Sequence, residues 1–313
     1  MPPIQGITIP LVTPRSAGCR PDLDALKELI DFVVSRGVSS ISIGSTTGEF
    51  VHYSLEQRRQ MLACAAAHHR GPLIAGIAHS TLEGALELAA AAEGAGASAL
   101  LVMPPHFFRY GQGEVREFFL RFVDSAPLGI PILLYNIPAF ANEISCATAC
   151  ELLGSGRFAG IKDSSGSWES FLQLKEARDR HRFTLLVGND RIFTRARTLG
   201  ADGVVSGVAC ALPELLVTLE RAILAGARDR AAALDQRLLE FIDWIDRFPA
   251  PMGIRFALAE RGLRPGPEAV PLSQDLGKLA EEFRGWFRQW LPGVLEQAVG
   301  ADEGRRPGSG SEH

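Results

Sequence analysis

The chain has 313 residues, of which 46% are hydrophobic and 22% charged, with a formal net charge of −4. This is an ordinary globular composition, long enough for one large domain, without the basic stripe that nucleic acid requires. No apolar run reaches the roughly 18 residues of a membrane span. The start, Met1-Pro2-Pro3-Ile4, lacks the charged and apolar regions of a signal peptide, so none is expected. Five scattered cysteines, Cys19, Cys64, Cys146, Cys150 and Cys210, read as reduced thiols in a cytoplasm. Cys146 and Cys150 would share a helix face, but no histidine or further cysteine stands near them, so no metal site is expected.

Apolar runs place strands at Ile7–Val12, Ser40–Gly44, Leu73–Gly76, Ala99–Met103, Ile132–Asn136, Phe158–Lys162, Thr184–Val187 and Gly203–Ser206. Amphipathic stretches fall between them. Asp22–Val34 is apolar at Leu23, Leu26, Leu29, Ile30 and Val33, with Asp22 as a candidate N-cap. Ser54–His68 opens with the capping-box spacing of Ser54 and Gln57. Ser80–Glu93 is alanine-rich, as suits a helix packed closely on a sheet. Gly37, Gly96 and Gly200 each follow a helical stretch and precede a strand. Glycine there permits the left-handed conformation that ends a helix.

Eight strands with intervening helices at about 27 residues per unit match a (β/α)8 TIM barrel. The fold class is therefore α/β, with a catalytic barrel over residues 1–225. Beyond it the pattern is purely helical, at Asp229–Phe248, Pro251–Arg261 and Ser273–Leu291. This predicts a C-terminal helical subdomain over residues 226–300, and the Gly, Ser and Arg-rich residues 301–313 read as a disordered tail.

Function in such a barrel sits at the carboxyl ends of the strands. Those ends carry Gly44-Ser45-Thr46-Thr47-Gly48-Glu49, His79, His106, Tyr135-Asn136, Lys162-Asp163, Gly188-Asn189-Asp190 and Ser206-Gly207. Lys162 closes the run Phe158-Ala159-Gly160-Ile161. Burial among such neighbours disfavours a charged amine, and a neutral amine attacks a carbonyl to form a Schiff base. The alternative is a lysine that closes a strand and reaches into solvent. A phosphate-binding loop needs lysine after its last glycine, where this chain has Glu49, which argues against a nucleotide. What remains for Gly44–Glu49 is a nest for a small carboxylate, or a tight turn. Tyr135 shares a strand face with Leu133 and reads either as a core tyrosine or as a phenol at the rim. Gly188-Asn189-Asp190 reads equally well as a capped helix start.

Taken together, Thr-Thr-Gly-Glu after strand two, Tyr-Asn-x-Pro after strand five and Gly-x-Lys-Asp at strand six resemble the dihydrodipicolinate synthase / N-acetylneuraminate lyase family. The resemblance runs from Gly6-x-x-x-Pro10-x-x-Thr13-Pro14 through Gly203-Val204-Val205-Ser206. It implies a class I lyase that binds pyruvate or a longer 2-keto acid as an imine on Lys162 and needs no other cofactor. By the same resemblance Tyr135 is the proton-shuttling phenol, and Thr46 hydrogen-bonds it. Thr47 and Gly48 hold the keto-acid carboxylate, while Gly188 and Val205 line the pocket. His79, His106, Phe140, Ser206 and Asn189 are candidates for the distal part of the substrate. The resemblance also implies a homo-oligomer, dimer or tetramer.

Two departures point to a subclass. The synthases carry arginine after Tyr-Asn-x-Pro, where this chain has Phe140, and a tyrosine pair where it has His106-Phe107. Arg109 and Tyr110 stand nearby as substitutes. The run Gly160–Gly166 is closer to the 2-keto-3-deoxy sugar-acid and hydroxy-oxoglutarate aldolases. The expectation is reversible aldol cleavage of such an acid to pyruvate and an aldehyde. The alternatives are the synthase reaction on aspartate semialdehyde, dehydration of a sugar acid, and a non-catalytic keto-acid-binding barrel.

Overall fold

In the computed structural model, which describes residues 4–125 and 129–299, eight parallel strands close into a barrel. They are β1 (Gly6–Pro10), β2 (Ser40–Ile43), β3 (Leu73–Gly76), β4 (Ala99–Val102), β5 (Ile132–Asn136), β6 (Gly160–Asp163), β7 (Thr184–Val187) and β8 (Gly203–Val205). Each strand pairs with the next, and β8 returns to β1 through Gly6↔Gly203. The fold is a (β/α)8 TIM barrel. Every apolar run read as a strand is one, and β3, β5 and β7 keep the bounds given above. β6 starts two residues later and ends one residue later than read. Asp163 still pairs with Asn136 and Val187, so Lys162 is the penultimate residue of its strand rather than the last.

The helices follow the local chemistry. Asp22 caps α1 (Leu23–Val34), its Oδ1 accepting from the Ala25 N–H at 3.0 Å. Ser54 and Gln57 form a reciprocal capping box on α2 (Leu55–His68). The next helix, α3 (Leu82–Gly94), starts two residues later than read. Thr81 caps it, while the Ser80 hydroxyl donates to His106 O at 2.7 Å. Gly37, Gly96 and Gly200 have φ of +81°, +80° and +97°, as their turns require. The ring continues with α4 (Gln112–Ser125), α5 (Cys146–Gly154), α6 (Trp168–Arg180), α7 (Phe193–Thr198), α8 (Val208–Ala211) and α9 (Pro213–Leu224).

Three further helices follow: α10 (Arg228–Ile245), α11 (Met252–Glu260) and α12 (Gln274–Val299). Here α12 runs past Leu291 and carries Pro292 inside it. The buried stripe Phe283, Phe287, Val294 and Ala298 keeps helical period across the proline, and Thr218 donates to Ala298 O at 3.0 Å. That packing outweighs the roughly 3 kcal/mol that an interior proline costs. No described helix is long and apolar enough to cross a membrane. The expected tail, 301–313, lies outside the described residues.

Two apolar clusters divide the molecule. The larger fills the space between the strands and their helices. The smaller fills the barrel, with Ile74, Ala99, Leu101, Leu133, Leu186 and Val205 below and Tyr135 at its upper end. Polar side chains on the strands' carboxyl edge stand on that apolar plug, out of reach of water from below.

Candidate active site

Tyr135 on β5 and Lys162 on β6 are direct register partners, so their side chains leave adjacent strands side by side. Both are buried, at 2% and 4% exposure. The lysine Nζ lies 3.9 Å from the centroid of the tyrosine ring. The Tyr135 hydroxyl is 3.0 Å from Thr46 Oγ1. The amine lies against the face of the tyrosine ring, and the hydroxyl of that ring meets the threonine. The next register pair locks it, because Asn136 Nδ2 donates to Asp163 Oδ1 at 2.8 Å and Asn136 Oδ1 accepts from the Ile144 N–H at 3.0 Å.

Glycines make the space. A Cβ on Gly188 would stand 2.8 Å from Lys162 Cε and 1.9 Å from Ser164 Oγ, so a side chain there would evict the lysine. A Cβ on Gly48 would meet Leu11 O at 3.0 Å, so the absence of a side chain lets the 3-10 turn Thr46–Gly48 pack directly on the backbone that follows β1. Thr13 fixes that turn by donating to Gly48 O at 2.7 Å. Thr47 faces the start of α8, its Oγ1 lying 3.3 Å from where a Gly207 Cβ would stand.

The other residues singled out from sequence divide. Val205 lines the barrel interior, and Phe140 stands at the mouth, 55% exposed. Ser206 is fully buried, and its Oγ accepts from the Ala209 N–H at 3.0 Å. Asn189 accepts from the Arg191 N–H at 3.0 Å, capping a short turn. His79 accepts from the Thr81 N–H at 3.1 Å and lines a neighbouring cavity with Arg58 rather than the site. Arg109 donates to Ala141 O at 3.1 Å and so holds loop backbone, while the Tyr110 backbone N–H is held by Asn142 Oδ1 and its side chain is exposed.

Two groups that the sequence placed at strand ends take parts that the sequence reading did not assign. Glu49, in the left-handed region at φ +53°, ends the Thr46–Gly48 turn. Its carboxylate is held by Arg15 Nη2 at 2.9 Å and Arg255 Nη1 at 3.4 Å. Arg255 is wholly buried on α11. It pairs with Glu268 at 3.0 Å and donates to Thr13 O at 3.0 Å, Pro265 O at 2.7 Å and Pro267 O at 2.9 Å. Arg15 also donates to the Tyr53 hydroxyl and to His52 Nδ1, each at 2.8 Å. An arginine inside Gly253-Ile254-Arg255-Phe256-Ala257-Leu258 was the available signal, since a charge amid apolar helix residues demands a partner. The second group is Asp190. Burial pushes its carboxyl up to about 6, against the pull of Ser206, Lys162 and the Val208 N–H. One of its oxygens, Oδ1, is enclosed with no hydrogen-bond partner.

A primary amine beside a phenol that is itself hydrogen-bonded can add to a carbonyl while the phenol moves protons. Fold and site thus define a barrel enzyme whose reactive groups stand at the carboxyl edge of the sheet. The Dihydrodipicolinate synthetase family matches residues 3–283, and the chain belongs to it. It is a lyase of the aldolase type. The 4-hydroxy-tetrahydrodipicolinate synthase of Methylococcus capsulatus is 30% identical over 304 residues, covering 93% of this chain and 100% of its own. The solved 4-hydroxy-tetrahydrodipicolinate synthase of Methylacidiphilum fumariolicum SolV is 26% identical, with a TM-score of 0.85 over 94% of this chain and 99% of its own. YagE, an E. coli prophage protein of the dihydrodipicolinic acid synthase family solved in complex with pyruvate, is 25% identical. Its TM-score is 0.84 over 92% of this chain and 99% of its own.

Proposed function

We propose that the chain catalyses reversible aldol cleavage of a 4-hydroxy-2-oxo acid, of the 2-keto-3-deoxy sugar-acid or hydroxy-oxo-acid kind, to pyruvate and an aldehyde. The observation that carries this reading is the contiguous Lys162–Tyr135–Thr46 arrangement. The Lys162 amine adds to the C2 carbonyl, and loss of water leaves a protonated imine. The Tyr135 phenol, oriented by Thr46, moves the protons of that step. It then takes the proton of the C4 hydroxyl as the C3–C4 bond breaks. The bonding pair flows into the imine to give an enamine, and the aldehyde departs. Reprotonation at C3 and addition of water release pyruvate and the free amine. Thr47 with the amides of the Gly48 turn receives the substrate carboxylate. Gly188 leaves room for the lysine, and Val205 backs the pocket. No bound cofactor enters these steps. The pyruvate complex of the E. coli relative supports the choice of keto acid.

The second reading, the synthase reaction on aspartate semialdehyde, is favoured by the names of the relatives. Phe140 weighs against it, since a phenyl ring cannot make the bidentate contact an arginine gives a carboxylate. We also infer a homo-oligomer. Phe107, 86% exposed at φ +80°, and Val51 present apolar surface at the barrel mouth that a second copy would cover. The free cysteines fit a reducing cytoplasm.

Borohydride reduction in the presence of pyruvate tests the reading. It should add one reduced pyruvyl group, on Lys162, by intact mass and peptide mapping. Lys162→Ala should take up none, and Lys162→Arg should be equally inactive because a guanidinium stays protonated. Label retained in Lys162→Ala would overturn the assignment.

A further inference from the structure

Asp163, the last residue of β6, carries a buried charge that its hydrogen bonds do not require. It is 4% exposed. Its Oδ1 accepts from Asn136 Nδ2 at 2.8 Å and from the Ser165 N–H at 3.2 Å, and its Oδ2 accepts from the Ser165 hydroxyl at 2.7 Å. All three donors are neutral. An asparagine of the same shape would serve them equally, its oxygen accepting the first two bonds and its amide donating to the Ser165 hydroxyl. A buried carboxylate is costly to keep unless a positive charge stands near it.

On the helix side, the titratable neighbour of Asp163 is the Cys146 thiol of α5. Burial pushes that thiol up against Ser170, and Asp163, Glu143 and Glu169 add to the rise, so these surroundings are acidic. The cation beside Asp163 in the chain is Lys162, which is just as buried. Successive side chains of a strand leave on opposite faces, so only the β6 backbone separates the amine from the carboxylate. Inside the barrel the amine faces the Tyr135 ring and, across Gly188, the Ser164 hydroxyl. The other carboxyl that feels Lys162 is Asp190, which burial pushes up to about 6 and makes reluctant to ionise.

Resting on the imine reading above, we propose that the Asp163 carboxylate is the counter-charge of the imine on Lys162 and keeps that nitrogen protonated. Amine and keto carbon join with loss of water, and the imine nitrogen takes a proton. Only in that form does it accept the C3–C4 bonding pair, becoming a neutral enamine as the aldehyde leaves. An imine is less basic than the amine it came from, so near neutral pH the proton needs a stabilising charge. Burial on both sides of β6 leaves little water to screen one. A unit charge about 10 Å away, through protein of effective dielectric constant near 20, shifts such an equilibrium about tenfold. Asp163 is a positioning residue in this scheme: it acts through Lys162 and places charge behind it.

Asp163→Asn removes the charge and keeps the hydrogen bonds. The measurement is the rate of cyanoborohydride trapping at saturating pyruvate across pH, because hydride reduces the protonated imine and spares the neutral one. The alkaline limb of that profile should move to lower pH by about one unit in Asp163→Asn, with a thermal midpoint no lower than that of the wild type. Asp163→Ser removes the charge and the carboxylate bonds together and should show the same shift, so either variant that folds decides the matter. Asn136→Asp combined with Asp163→Asn returns a carboxylate to the same buried pair and should move the limb most of the way back. A limb that stays in place without the Asp163 charge overturns the proposal and leaves the imine reading standing, with Asp163 as a lock alone. A limb that moves in the single variant and does not return in the double also overturns it. Absence of trapping in the wild type removes the imine reading, and this proposal with it.

Discussion

The two halves of the site are held by different physics. On the β5–β6 side, Tyr135 and Lys162 are neighbours in a hydrogen-bonded ladder, and the adjacent Asn136–Asp163 contact repeats the pairing one residue on. Backbone geometry alone sets their distance. On the other side, the Thr46–Gly48 turn is a loop, anchored by Thr13 and by the Glu49 carboxylate between Arg15 and Arg255. Side-chain charge sets its position, and much of that charge comes from α11. A substitution on the ladder side should change chemistry without moving anything, whereas one on the loop side should change geometry first.

The largest effect should come from the ladder. Tyr135→Phe keeps the ring that packs on Lys162 and removes only the proton-carrying oxygen, so kcat should fall about 10²- to 10⁴-fold. KM and thermal stability should stay near those of the wild type. Thr46→Val should reproduce part of the loss. A turnover number within a few-fold of wild type in Tyr135→Phe would make the phenol a packing group.

Arg255→Met sharpens the contrast. It leaves Glu49 with one partner and Glu268 with none of its own, and breaking a buried ion pair costs about 3–5 kcal/mol. In the protein that still folds, KM for pyruvate should rise about tenfold or more through the displaced turn, while kcat at saturating pyruvate should hold within a few-fold. Arg255→Lys should recover little, because an ammonium cannot span four carbonyls and two carboxylates. Loss of kcat with KM unchanged would place the effect on the ladder side instead.

The smallest effect concerns Asp190. Its carboxyl titrates at about 6 in the fold against an ordinary 3.8, so between those values the folded protein binds more protons than the unfolded chain. Its contribution to stability therefore falls as pH rises through that window and is flat above it. Denaturation midpoints of Asp190→Asn, compared with wild type at pH 4, 5, 6 and 7, should shift in the variant's favour up to about pH 6 and no further. Parallel profiles would show that the carboxyl is not perturbed.

Much of this was legible in the sequence because its signals are local. Strand runs, caps and left-handed glycines each depend on a few consecutive residues. Thr46, Tyr135 and Lys162 stand at strand ends that the barrel must bring to one rim. The brace was not legible, since Glu49 and Arg255 are 206 residues apart and the apolar surroundings of the arginine demand a partner without naming which. The passage of α12 through Pro292 was hidden for the same reason, because the contacts that hold it lie on other helices.

Closure of the sheet has one more consequence. With β8 paired to β1, no strand among the described residues offers unpaired amides and carbonyls to a stranger, so copies of this barrel cannot join by extending its sheet. Any association must be written in side chains on helices and loops. A hydrophobic-to-charged change at a single exposed position such as Phe107 can then dissolve an assembly without loosening the scaffold beneath it. In a closed barrel, association by side chains is separable from folding.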